Sequence, residues 1–185
     1  MDIGAARALM HAWVENPALR THMEAVGSCM RHAALRHAPG ANAGEIERWA
    51  VAGILHDFDY ERHPGDHPLV GAAHLESLGV DSEIREAILG HFSEKTGVER
   101  RTPMARALFA VDELAGFIVA CAKVRPDGLA TLEPKSVVKK LKQPAFAAAV
   151  SREDIAKGVE ELGVDRDEHV AMCIAAIRGC EQVRL

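Results

Sequence analysis

The sequence has few aromatic residues and few cysteines. Of its 185 residues, 4% are Phe, Trp or Tyr, and its four cysteines are spread along the chain without a Cys-x-x-Cys pair. This distribution indicates neither a disulfide scaffold nor a zinc ribbon. The apolar runs are far shorter than the roughly 20 residues that a membrane-spanning helix needs. We therefore expect neither a cross-linked miniature domain nor a membrane protein.

An excess of basic side chains is also missing. The chain carries 22 basic and 27 acidic residues, a formal net charge of −5, which argues against a protein that binds nucleic-acid polymers through their phosphates. The first residues show no basic segment followed by an apolar one, so a cytoplasmic location is expected. With 48% hydrophobic residues, the chain is not disordered, and its length suits one domain.

Strand patterns are nearly absent, because apolar residues recur every three or four positions and alternating β-branched runs do not occur. The pattern predicts an all-α, single-domain helical bundle. Prolines, glycines and capping residues divide the chain into helical segments. Residues 58–68 and 93–101 are expected to be loops. The predicted helices are about Ile3–Glu15, Pro17–His37, Glu45–Asp57, Pro68–Leu78, Asp81–Phe92, Thr102–Lys123, Glu133–Lys142, Ser151–Leu162 and one that begins at Asp165.

Histidine, in contrast, is abundant, with ten residues. The most informative stretch is WAVAGILHDFDY, residues 49–60, in which an apolar helix ends in His56 and Asp57. A buried carboxylate is costly unless it is paired, hydrogen-bonded or bound to a metal ion. Taken alone, the dipeptide is equally well explained by a helix-end histidine beside a capping aspartate.

Further histidines and acids lie inside or at the ends of apolar segments. They are His22, His67, His91 and Asp112. Each has an ordinary alternative as a surface or helix-end residue, but the joint order His, His-Asp, His, His, Asp is much less expected by chance. Imidazole and carboxylate ligands bind divalent first-row ions, so the sequence predicts a metal site built from these residues.

In this order the residues resemble the HD superfamily of metal-dependent phosphohydrolases. The resemblance covers about residues 17–122, with 123–185 as a C-terminal helical extension of a single HD-type domain spanning 1–185. It implies two divalent transition-metal ions, of Fe, Mn, Co, Ni or Zn. The implied ligands are His22, His56 and Asp112 for one ion, His67 and His91 for the other, and Asp57 for both.

The activity that this resemblance implies is hydrolysis of a small phosphorylated metabolite, a nucleotide in the leading interpretation, by a metal-activated hydroxide. Two departures of this sequence from the patterns of HD proteins narrow the expected substrate. Many HD proteins continue His-Asp-x-x-Lys, whereas this chain has Tyr60, so a phosphate contact from that lysine is not expected. The Gly-Tyr-Pro extension of cyclic-di-GMP phosphodiesterases is absent after His91, so cyclic-di-GMP is not the expected substrate.

Other residues are candidates for supporting roles. Besides Asp57, the nearby acids Asp59 and Glu61 are candidate catalytic residues that could orient ligands or transfer protons. Candidate substrate-binding residues are Arg62, Lys139 and Lys142. For each of these the ordinary alternative is a solvated loop or helix face.

The remaining histidines divide into two sets. His63 and His74 are spare ligand candidates, while structural or surface positions are expected for His11, His32, His37 and His169. No serine or cysteine has a base at a recognisable spacing, so covalent catalysis is not expected.

Two other functions remain open at this point. Some two-metal HD relatives are di-iron oxygenases with the same ligand pattern, and a non-catalytic, metal-containing module that senses a nucleotide would also carry it. The expected partner is a small phosphorylated molecule rather than a nucleic acid or a membrane, and the oligomeric state is open.

Overall fold

The computed structural model describes residues 1–183, and within this range the chain forms ten helices and no strand. This confirms the predicted all-α fold. The helices are α1 Ile3–Trp13, α2 Pro17–His37, α3 Ala43–Leu55, α4 Leu69–Ser77, α5 Ser82–His91, α6 Ser93–Thr96, α7 Pro103–Lys123, α8 Pro134–Leu141, α9 Arg152–Leu162 and α10 Arg166–Arg178. No helix in residues 1–183 has the length and apolar character needed to cross a bilayer.

Polar capping residues begin several helices, as the sequence predicts. The Asn42 side chain accepts a hydrogen bond from the backbone N–H of Glu45 at 3.0 Å at the start of α3. The Ser151 hydroxyl accepts one from the N–H of Asp154 at 3.1 Å at the start of α9. Each cap satisfies a backbone donor that has no partner within its own helix.

The helix predictions differ from the structure at two places that adjoin the histidines. Residues 93–96, expected to be a loop, form the single turn α6, which ends at Gly97 with a left-handed φ of 71°. One turn is too short to show a helical period in the sequence. Helix α3 ends at Leu55 instead of Asp57, and turns follow it to about residue 68.

The core is centred on α7, whose side chains are buried on most of its faces and which packs against α2, α5 and α9. Helices α2 and α3 approach each other at two glycines. A Cβ atom added to Gly53 would lie 2.7 Å from the Cα atom of Gly27. The backbones therefore touch directly, and this contact sets the separation of the histidines that the two segments carry.

We predict that Gly53→Ala destabilises the protein by about 1–3 kcal/mol, because the added methyl group overlaps the backbone of α2. Urea unfolding monitored by circular dichroism measures the change. Gly65→Ala is the control, since a Cβ atom there meets no atom within 4 Å. Equal stability of the two variants would contradict the close contact of α2 and α3.

Candidate metal centre

Three helices bring the first group of donor atoms together. His22 lies on α2, His56 follows the end of α3, and Asp112 lies on α7. The Nε2 atoms of the two histidines are 3.1 Å apart, and Asp112 Oδ1 lies 3.0 Å from that of His22 and 3.2 Å from that of His56. This is one of two groups in residues 1–183 whose geometry could hold a metal ion.

The second group consists of Asp57, His67 and His91. The Nε2 atom of His67 lies 3.2 Å from that of His91. Asp57 Oδ1 lies 3.2 Å from His67 Nε2 and 3.6 Å from His91 Nε2. Both histidines are buried, so their ring nitrogens must find partners within the protein or from a bound ion.

Asp57 joins the two groups. Its Oδ1 atom faces the second group, while its Oδ2 atom lies 3.4 Å from His56 Nε2 and 3.7 Å from His22 Nε2. One carboxylate therefore presents a separate oxygen to each group of imidazoles. This is the position that a ligand shared by two ions requires.

The Nδ1 atoms, on the far side of each ring, determine whether Nε2 presents a lone pair or a proton to the centre. His56 Nδ1 lies 2.8 Å from the carbonyl oxygen of Gly53, and His91 Nδ1 lies 2.5 Å from that of Ile88. A carbonyl only accepts hydrogen bonds, so each of these rings carries a proton on Nδ1 and, when neutral, directs the Nε2 lone pair inward. The centre is thus lined by electron-pair donors that a divalent cation would satisfy.

The electrostatics of the centre favour positive charge. Burial opposes protonation of His56, but the carboxylates of Asp57 and Asp112 outweigh it and raise the pKa of His56 well above its usual range. Burial would raise the pKa of Asp57, but the adjacent His56 and the other imidazoles lower it well below its usual range. Burial would also raise the pKa of Asp112, but His56 and His22 lower it. Both carboxylates are therefore held as anions, the form that binds metal ions.

Asp59 supports the second group from behind. It is fully buried, its Oδ1 atom lies 2.6 Å from Nδ1 of His67, and its Oδ2 atom accepts the backbone N–H of Gly71 at 2.6 Å. A Cβ atom at Gly71 would lie 2.8 Å from the Asp59 carboxyl carbon, so glycine leaves the space that this carboxylate occupies. The contact fixes the His67 ring and its tautomer.

A cavity of about 650 Å³ opens onto both groups. Five of the six predicted ligands line it, whereas His56 is fully buried behind them. The other lining residues are Tyr60, Phe92, Glu94, Phe109, Glu113, Gly116, Val150, Ser151, Glu153, Asp154 and Lys157. None of these residues was a site candidate in the sequence. Those on α9 in particular reach the cavity only through tertiary packing, which the sequence pattern does not show.

Glu113 is the most perturbed of these additional residues. Burial, together with the charge of the adjacent Asp112, raises the pKa of Glu113 to about 7. Its carboxylate accepts the backbone N–H of Ser151 at 3.1 Å. The sequence signal was the pair Asp112-Glu113 within an otherwise apolar helix, but only the fold shows that Glu113 faces the cavity.

Four of the predicted supporting residues are not brought to the centre, which corrects those expectations. Glu61 accepts the backbone N–H groups of Glu15 and Asn16 at 3.1 and 2.9 Å, between α1 and α2. Arg62 donates to the Ala12 carbonyl at 2.6 Å and lies over the Trp13 ring.

The two lysines are displaced for a different reason. Lys139 and Lys142 are exposed, and neither lines the cavity. Helix α8 turns Val137 into the core, so its basic face points to solvent. The spacing correctly placed the lysines on one side of a helix, but it could not show where that side would point.

The remaining histidines lie outside both groups. The His74 and His63 rings lie 4.7 and 6.1 Å from that of Trp13. His169 is buried, with Nε2 3.0 Å from the Ala110 carbonyl oxygen. These rings have packing or hydrogen-bond partners of their own.

Together, the helices and the two convergent histidine–aspartate groups define a helical domain with two groups of side chains that could hold metal ions. The family model of the HD domain matches residues 19–116, more than half of the chain. The chain therefore belongs to the HD-domain family. Comparison with curated proteins and with solved structures gave no match.

We predict that Asp59→Asn weakens metal binding at the second group by about 10- to 100-fold. The neutral amide oxygen accepts a weaker hydrogen bond from His67, and the amide NH2 cannot accept the N–H of Gly71 as Asp59 Oδ2 does. Calorimetric titration of Mn²⁺ into the chelator-treated protein measures the affinity. Asp66→Asn is the control, because it removes the same charge from the same segment at an exposed position. Unchanged Mn²⁺ affinity in Asp59→Asn would rule out this role.

Proposed function

We propose that the protein is a metal-dependent phosphohydrolase that acts on a small phosphorylated molecule. The single observation that supports this proposal most strongly is the position of Asp57, whose two oxygens face two separate groups of imidazole Nε2 atoms. Such an arrangement suits two ions held side by side, which is the device that hydrolases of phosphate esters use.

The six residues predicted as ligands fit this role in donor chemistry as well as in position. His22, His56 and Asp112 would hold one ion, and His67 and His91 the other, with Asp57 shared. When bound, two divalent cations supply hydroxide at neutral pH and offset the negative charge of a phosphoryl group.

The chain's own residues bind and orient around that centre. Asp59 holds the His67 ring. Gly116 lines the cavity beside His22, where an added Cβ atom would make only an ordinary contact of 3.5 Å with His22 Nδ1. Among residues 1–183, Lys157 is the only lysine or arginine that lines the cavity. The phosphoryl group would therefore find its positive charge at the metal centre rather than on the cavity walls.

The defining experiment is metal analysis of protein purified without chelators, followed by a phosphoester panel after loading with Mn, Co, Ni or Fe. Nucleoside monophosphates belong in the panel, since a nucleotide is the leading substrate from the sequence, and dinucleoside polyphosphates test larger substrates. Fewer than one divalent ion per chain, with no phosphatase activity after loading, would refute the proposal.

The same preparation distinguishes the other two functions. Oxygen consumption with an iron-specific electron-spin signal would identify an oxygenase. Thermal stabilisation by a phosphorylated ligand without turnover would identify a non-catalytic module.

We predict that Asp57→Ala lowers phosphatase activity by at least about 100-fold and reduces the metal content at both groups, because the change removes the one ligand that they share. Steady-state kinetics and elemental analysis measure the two effects. Asp66→Ala, which removes an exposed carboxylate nearby, should retain both properties. Full activity in Asp57→Ala would contradict the shared-ligand assignment.

A further inference from the structure

The exposed aromatic rings of the chain are concentrated at one place. The chain has five phenylalanines, two tryptophans and one tyrosine, all within residues 1–183. Only Tyr60 and Phe92 among them are exposed, with 50% and 41% of their surfaces accessible, and both line the cavity of the metal centre. Exposed apolar side chains scattered singly are common on protein surfaces, but two rings that share one polar cavity indicate a ligand-binding surface.

Both rings lie beside the second group of candidate metal ligands. The ring centroid of Tyr60 is 5.3 Å from that of His67, and the ring centroid of Phe92 is 6.4 Å from it. His67 Nε2 in turn lies 3.2 Å from Oδ1 of Asp57, the carboxylate proposed to join the two ions. A planar group that packs against Tyr60 and Phe92 would therefore lie next to a phosphoryl group held at the centre.

Hydrogen bonds hold the segments that carry the two rings. The N–H of Tyr60 donates to the Asp57 carbonyl at 3.0 Å, and the Phe92 carbonyl accepts the N–H of Lys95 at 3.1 Å. The Lys95 ammonium donates to the Gly65 carbonyl at 2.5 Å, which ties α6 to the segment of Tyr60. This ammonium lies 6.0 Å from the Phe92 ring centroid, but Lys95 does not line the cavity. The rings are thus in position before a ligand binds, which reduces the entropy lost on binding.

The charge and the size of the cavity limit the rest of the substrate. Lys157, the only lysine or arginine of the lining within residues 1–183, is paired with Glu94 at 3.2 Å. Ligands with several phosphates are usually met by such cations, so this lining suits a single phosphoryl group at the metal centre. The cavity of about 650 Å³ has the size of sites that bind small organic molecules, and it leaves space for a neutral ring.

The position of the rings also limits the link between the phosphoryl group and that neutral ring. Tyr60 and Phe92 both adjoin His67, a candidate ligand of the second ion. A ring attached to the phosphoryl oxygen directly or through one carbon atom reaches them while the phosphoryl group stays at Asp57. In a nucleoside monophosphate the ribose intervenes and carries the base further from phosphorus. The geometry therefore favours a short link over the nucleotide that the sequence favours.

We propose that the substrate is an aryl or arylmethyl phosphomonoester, whose aromatic ring packs against Tyr60 and Phe92 while its phosphoryl group lies at the metal centre. This inference rests on the proposed function. Hydrolysis adds water across the P–O ester bond: the water oxygen bonds to phosphorus, and the ester oxygen leaves with the electron pair of the broken bond and takes up a proton. The products are a phenol or an arylmethyl alcohol and inorganic phosphate.

Binding tests the ring site independently of turnover. The probes are benzylphosphonate and cyclohexylmethylphosphonate, which have equal numbers of carbon atoms and P–C bonds that resist hydrolysis, although only the first has a planar aromatic face. Calorimetry with the Mn²⁺-loaded, full-length protein should give a Kd about fivefold lower for benzylphosphonate, as expected of ring–ring contacts beyond the area that they bury. Equal affinities, or tighter binding of the cyclohexyl compound, would overturn the proposal even if the protein hydrolyses phosphoesters.

Substitutions locate the ring site. Tyr60→Leu and Phe92→Leu should each lower the preference for benzylphosphonate to about twofold or less, because one of the two rings is lost. Tyr60→Phe should keep the full preference, since the ring and not the hydroxyl makes the contact. Leu78→Ala is the matched control: Leu78 is as exposed as Tyr60 but does not line the cavity. A preference that survives both leucine variants would overturn the assignment of these rings.

Hydrolysis then separates the two proposals. Benzyl phosphate should be hydrolysed with a kcat/KM about fivefold above that of cyclohexylmethyl phosphate, since both are esters of primary alcohols and differ in the ring. Preferential binding of benzylphosphonate with no hydrolysis of either ester would support the ring site and refute the phosphohydrolase. Hydrolysis of both esters at equal rates would overturn the ring site and leave the phosphohydrolase standing.

Adenosine monophosphate with a 5′-phosphate tests the length of the link. It should be hydrolysed with a lower kcat/KM than benzyl phosphate, because its ribose separates the base from the phosphoryl group. A higher kcat/KM that falls in Tyr60→Leu would place a nucleobase against the rings and overturn the short link.

Discussion

The structure depends on how the repulsion among buried lone pairs, on histidine Nε2 atoms and carboxylate oxygens, is offset. His56, His67 and His91 are buried, and their outer Nδ1 atoms face acceptors. Their Nε2 atoms therefore lie 3.2–3.6 Å from carboxylate oxygens, and those of His67 and His91 lie 3.2 Å apart. Such a group is stable only with positive charge among its members, whether from protons or from a metal ion. The close glycine contact of α2 and α3, and the acid behind His67, are the structural means of holding these donors in place.

Much of this centre could be predicted from the sequence, because its ligands mark the ends of apolar helices. Acids and imidazoles at such positions stand out against helical periodicity, and the order of the six residues matches what the fold assembles. The grouping into two sets with Asp57 between them also agrees with the geometry. Metal binding by these six residues stays a prediction.

Other residues could not be located from the sequence for physical reasons. Glu61 and Arg62 look like site residues because they follow the His-Asp pair, yet unsatisfied backbone groups of α1 and the start of α2 bind both. Local spacing places Lys139 on a basic face, but only the packing of Val137 determines that this face points to solvent. The acids of α9 carry no local signal, since their position depends on contact with α7.

The location of α9 has a consequence for how such a protein can diversify. The family match ends at residue 116, and all six ligand candidates lie before that point, whereas α9 begins at Arg152. One wall of the cavity is thus encoded by a stretch of chain separate from the ligands. Substitutions there can change the shape and charge of the cavity without changing any of the six candidate ligands.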